Sequence, residues 1–150
     1  MYGDPDVLRS QVDDLREQAL DVRSLADQLV ARTEGLGWSG RAAEAMRLRV
    51  TERAGHLRAA AAEHDAAADA LLAHAQEVAR LQEAIQDVEQ RVHDLVAEAG
   101  TRQSRRDLDP QAPGGAASSD PTADDDRLVL AFEAPPPGHR DWLSAEVPGL

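Results

Sequence analysis

The chain has no cysteine and no lysine, and its aromatic residues are two tryptophans, one tyrosine and one phenylalanine. Without cysteine there are no disulfides, no thiolate metal sites and no thiol nucleophile. So few aromatic rings, with alanine making up much of the apolar content, argue against a thick globular core and favour thin, closely spaced helices. Proline is absent between Pro5 and Pro110, a span free to be helical. No run of about 18 apolar residues is present, so no membrane-spanning helix is expected. The start of the chain is acidic and lacks a basic-then-apolar pattern, so a classical signal peptide is not expected. Excess charge is of one sign: the net charge is −12. An acidic chain is repelled by nucleic acid and by anionic membrane surfaces.

What is present is helical periodicity, broken once. Asp4 and Pro5 suit an N-cap and a first helical position. Apolar residues then recur by threes and fours, with Leu8, Leu15, Val22 and Leu29 in an unbroken seven-residue line. The break is Gly35-Leu36-Gly37-Trp38-Ser39-Gly40. Gly35 and Gly37 are expected to end the first helix, because glycine takes positive φ without steric penalty. Ser39 is expected to cap the second helix. That helix is predicted from about Gly40 to Ala99, passing through Gly55 and stopping at Gly100.

The two runs differ in length. At about 1.5 Å per residue, the first is roughly 45 Å long and the second roughly 90 Å. Folded back at Trp38, the first reaches only to about Ala68. Ala70 to Ala99 would then have no partner within the chain, although Leu71, Val78, Leu81, Ile85, Val88, Val92 and Leu95 line it. Such a stripe does not stay bare in water. The expectation is that another chain covers it, or that the helix breaks and folds back.

Past Gly100 the composition changes: seven of the eight prolines fall in the last fifty residues. Residues 101–150 are expected to be a flexible Pro/Gly/Asp-rich tail, with a linker over Pro110 to Pro121. Asp124-Asp125-Asp126 is expected to be a solvated charge run. Residues 127–143, from Arg127 through Phe132 to Trp142 and Leu143, are either part of a disordered end or a short docking motif. The expected fold is all-α, with an antiparallel helical hairpin over 1–100.

No catalytic constellation is present, so an enzyme is not expected. His56, His64, His74 and His93 lie on the long helix, but none is three or four residues from another, as a one-face zinc site requires. No metal and no cofactor is expected. Gly35-Leu36-Gly37 is no dinucleotide fingerprint, because no strand precedes it. Trp38 is the residue that a purely structural role explains least well.

Gly3-Asp4-Pro5, Trp38-Ser39-Gly40-Arg41-Ala42-Ala43 and the alanine-rich 59–75 segment resemble the WXG-motif family of type VII secretion substrates. The closer likeness is to N-terminal type VII delivery domains of actinobacterial secreted toxins. It covers about residues 3 to 99. The resemblance implies a signal-peptide-independent export route to the outside or the cell surface, driven by a type VII secretion ATPase. It also implies a homodimer, or a heterodimer with another WXG-like helical protein. Trp38, Ser39 and Gly40 would form the secretion and turn motif, and the stripe from Leu71 to Leu95 the partner-binding face. Family members carry a Tyr-x-x-x-Asp/Glu export signal at the end of the second helix; here His74 stands where the tyrosine would fall, which implies reliance on a partner's signal. With no toxin domain expected in fifty tail residues, a small accessory substrate is implied. The alternative is an intracellular coiled-coil scaffold or chaperone whose tail docks a client.

Overall fold

The computed structural model describes residues 4–108 and 121–150. It is all-helical among those residues: α1 (Pro5–Gly35), α2 (Arg41–Leu108), α3 (Pro121–Leu130) and a short 3-10 helix at Arg140–Ser144. The chain divides into two compact units, one running to Ala79 and the other from Arg80 to Leu150.

In the first unit α1 packs along the first part of α2. Asp4 caps α1 as its composition dictates: its carboxylate accepts from the Asp6 backbone N–H at 2.9 Å. The contact is built on small residues at seven-residue spacing. Val12, Ala19 and Ala26 on α1 and Ala54, Ala61, Ala68 and Ala75 on α2 are each at most 2% exposed. The leucine line of α1 (Leu8, Leu15, Val22 and Leu29) is only half-buried beside them. The alanine row therefore marks the line of closest approach. A side chain of one carbon lets two backbones draw near the lower end of the usual 8–10 Å interaxial range.

Ion pairs flank this contact. Arg16 meets Asp69 at 3.1 Å, Arg58 meets Asp27 at 2.6 Å, and Arg23 bonds to Asp65. Positions fall on α2 as they rise on α1, so the two helices run in opposite senses through this contact. Every partner is more than a third exposed. Each pair then contributes only about 0.2–1 kcal/mol and serves mainly to fix register. The Arg16–Asp69 pair also corrects the expected reach of α1. With more than two turns of α1 still to run beyond Arg16, the helix extends past Ala68, and Ala75 and Val78 are buried.

The second unit corrects two further expectations. Gly100 does not stop α2, which continues to Leu108. A lone glycine costs a helix only about 1 kcal/mol, and Gly100 does not adopt positive φ. Nor are residues 121–150 a loose tail. Val129, Trp142 and Val147 are buried, together with Ile85, Val92 and Ala99 of α2. The linker expected at Pro110 to Pro121 lies outside the described residues up to 120.

Candidate functional site

The connection between α1 and α2 is the first feature to weigh. Gly35 is the last residue of α1 and Leu36 follows at φ −70°, so the positive φ expected at Gly35 is absent. Gly37 (φ 63°) and Gly40 (φ 97°) carry it instead. Gly40, not Ser39, precedes α2, and its carbonyl accepts the first helical bond from Glu44 N–H at 3.1 Å. The expected Ser39 side-chain cap is not formed. Glycine is itself an accepted N-cap residue, and here the chain needs its left-handed freedom.

Trp38 lies in this connection with 57% of its surface exposed. Its backbone carbonyl accepts a hydrogen bond from the Arg47 guanidinium, which ties the connection to the first turns of α2. Leu36 and Met46 are also exposed, and with Trp38, Thr33, Ala43 and Arg47 they line a shallow recess. Its side chain is more than half exposed, at the rim of a recess shared by the end of α1 and the start of α2, while the backbone beneath it is held.

The second feature is the apolar face of α2. Val78, Ile85 and Val92 are buried, and Leu71, Leu81, Val88 and Leu95 are half-buried. Leu71 and Val78 belong to the unit in which α1 packs on α2. From Leu81 on, the covering comes from residues 121–150 of the same chain. The expectation that this stripe lacks a partner within the chain is therefore overturned, and the docking segment expected at 127–143 docks on its own helix. Trp142 is the largest side chain buried in that contact. It is 1% exposed, packs edge-on against His93 with ring centroids 6.1 Å apart, and lies tilted against Phe132 at 6.2 Å. Its indole N–H donates to the Pro136 carbonyl at 3.0 Å, so burying the ring leaves no polar atom unpaired. Gly138 N–H donates to Glu89 at 3.3 Å. Gly149, at φ 89°, comes so close to Leu95 that a Cβ there would stand 3.3 Å from its side chain.

A charge cluster completes this unit and was missed in the sequence. Asp126 is 1% exposed rather than solvated. Arg102 grips it through Nε and Nη2, at 3.0 and 2.8 Å to the same oxygen, and Arg106 bonds the other oxygen. Hydrogen bonding to Arg102 holds the Asp126 carboxyl below its usual range. Burial opposes this shift, and Arg106 reinforces it. The same bond to Asp126 raises Arg102. The available signal was Arg102 and Arg106, one turn apart on the face that continues the apolar stripe. Nothing in the sequence singled out Asp126 from its two acidic neighbours. Asp124 does stay exposed, paired with Arg127.

A third feature is His64. It stands seven residues from both Leu57 and Leu71, and its Nδ1 is buried with no hydrogen-bond partner. Among the described residues no cluster of three or more His, Asp or Glu side chains is arranged to hold a metal ion, and no helix is long and apolar enough to cross a membrane. Comparison with protein-family models, with curated proteins and with solved structures finds no match to this chain.

Proposed function

We propose that this protein is a non-enzymatic, type VII secretion-associated helical-hairpin protein, exported or acting as the export partner of a second Trp-x-Gly helical protein. Trp38 is the observation that carries the reading. Its ring is 57% exposed and stands beside the exposed Leu36 and Met46, so the connection offers a partner a small contiguous apolar patch rather than a lone side chain. The Arg47 bond to its carbonyl and the left-handed Gly40 hold the backbone that presents it. In this reading Trp38-Ser39-Gly40 is what the secretion ATPase or the partner recognises, and the alanine-lined α1–α2 contact is the rigid mount behind it.

The alternative, a scaffold that captures a client through residues 127–143, needs those residues free. Val129 and Trp142 are instead buried. The test is export. Levels in the culture filtrate should fall when the secretion ATPase is deleted, and fall likewise for Trp38→Ala with cellular levels maintained. Unchanged filtrate levels in the ATPase deletion would reject the proposal.

A further inference from the structure

The two edges of the α1–α2 contact differ in chemistry. Asp27 on α1 and Asp69 on α2 each stand one residue after a buried alanine, on the edge closed by the Arg16–Asp69, Arg23–Asp65 and Arg58–Asp27 pairs. A helix turns by about 100° per residue, so positions one before the buried residues lie on the opposite edge. On α1 these are Gln18 and Leu25, and Arg32 continues the row. On α2 they are Arg53, Ala60 and Ala67, preceded in the row by Met46. All of them are exposed. Leu36, one turn past Arg32, lines a single recess with Met46, so the two rows share one edge.

No residue in these rows is acidic, although the net charge of the chain is −12. The bond from Arg58 to Asp27 sets the register. Five residues on from Asp27 is Arg32, and five back from Arg58 is Arg53, so the two arginines stand level across the edge. Arg49 adds a third guanidinium one turn before Arg53. Among the described residues Arg32, Arg49 and Arg53 form no ion pair and no hydrogen bond. Exposed Leu25, Leu36 and Met46 lie on the same edge. One edge of the hairpin is thus closed by its own ion pairs, and the other carries apolar side chains and cations with nothing to neutralise them.

We propose that this open edge is a docking site for an acidic amphipathic helix of another protein. The shallow groove between two antiparallel helices accepts a third helix lengthwise, with its apolar residues on Leu25, Leu36 and Met46. Carboxylates along its side meet Arg32, Arg49 and Arg53, each guanidinium presenting a fork that matches a carboxylate. A second copy of this chain is a poor occupant, because its own open edge has no carboxylate to offer. Nucleic acid and anionic membrane match the three arginines but are repelled by the acidic excess of the rest of the chain. The inference concerns the side of the hairpin and stands whether or not the protein is exported.

The probe is a dye-labelled helical peptide of about 18 residues, or about five turns, with leucines on one face and glutamates beside them. Its counterpart carries lysine in place of each glutamate. With the full-length protein, fluorescence anisotropy should show saturable binding of the acidic peptide, weakened several-fold by added salt, and little binding of the basic one. Arg32→Glu with Arg53→Glu should weaken the acidic peptide by about tenfold or more at unchanged helicity. Arg91→Glu with Arg105→Glu makes the same change of charge at two exposed arginines away from this edge, and should leave binding unchanged. No binding of the acidic peptide would overturn the proposal, as would equal binding of the basic one or equal loss in the two double variants. Binding to phosphatidylglycerol vesicles without binding to the peptide would overturn it in favour of a membrane. Export is read separately in the culture filtrate, so either reading can fail alone.

Discussion

His64 offers the sharpest check on the physical reading of the α1–α2 contact. Its neighbours at seven-residue spacing, Leu57 and Leu71, are apolar and half-buried, as His64 itself is. The ring thus fills a leucine position while Nδ1 stays buried and unpaired. A buried polar atom without a partner costs about 1–3 kcal/mol. His64→Leu removes that atom and supplies a side chain already accepted one repeat away on either side. Because the residue is only half-buried, the lower part of the range applies. We expect stabilisation of about 1–2 kcal/mol, or roughly 2–4 °C in Tm per kcal/mol for a chain of this length. The assay is paired urea and thermal unfolding followed by circular dichroism at 222 nm, at one fixed pH. His64→Ala is the control. It also deletes the orphan atom but leaves space between Leu57 and Leu71, so it should gain less than His64→Leu or lose stability. A His64→Leu variant with wild-type helicity but unchanged or lower stability would refute the reasoning.

Two more substitutions probe the rest of the molecule. Ala68→Leu forces a bulky side chain into the line of closest approach and should destabilise the chain by about 1–3 kcal/mol in the same unfolding assay; a neutral result would mean that α1 and α2 are not closely packed there. Asp126 has a carboxyl pKa below its unfolded value, so its contribution is present above the ordinary aspartate range and is lost as pH falls through that range to the lower folded value. Protease protection of residues 121–150 should therefore weaken with acidification in that window. Asp126→Asn should be less protected at neutral pH and show a flatter acid dependence, and parallel pH profiles for the two proteins would count against the ion cluster as the hold.

The sequence made both helices, the Asp4 cap and the break over Gly35 to Gly40 legible, because periodicity and glycine chemistry are local. The left-handed residues nevertheless proved to be Gly37 and Gly40, and the second helix starts after Gly40 without a Ser39 cap. It also supplied the right stripe: Val78, Ile85 and Val92 are indeed among the most deeply buried residues. What it could not supply was the identity of the cover. Composition marked the last fifty residues as proline-rich and acidic, which is the mark of solvated chain. Trp142 and Val129 bury themselves only because a long apolar face is within reach, a tertiary fact with no local sign. Asp126 shows the same limit. Its two acidic neighbours have the same chemistry, and only the position of Arg102 and Arg106 on another helix separates them. The reach of α1 was underestimated because chain lengths were compared without a register, which the Arg16–Asp69 pair supplies. Trp38 was legible as unusual, and more than half of its surface is exposed.

The two guanidiniums around Asp126 also act as a vernier. Apolar side chains tolerate a slide of one turn along a helix, since the next ring or methyl group is much like the last. A carboxylate does not. Moved one turn towards the start of α2, Asp126 would exchange Arg106 for Glu98 beside Arg102, and one of its two attractions would become a repulsion. The segment that closes over α2 therefore has a single notch in which to seat.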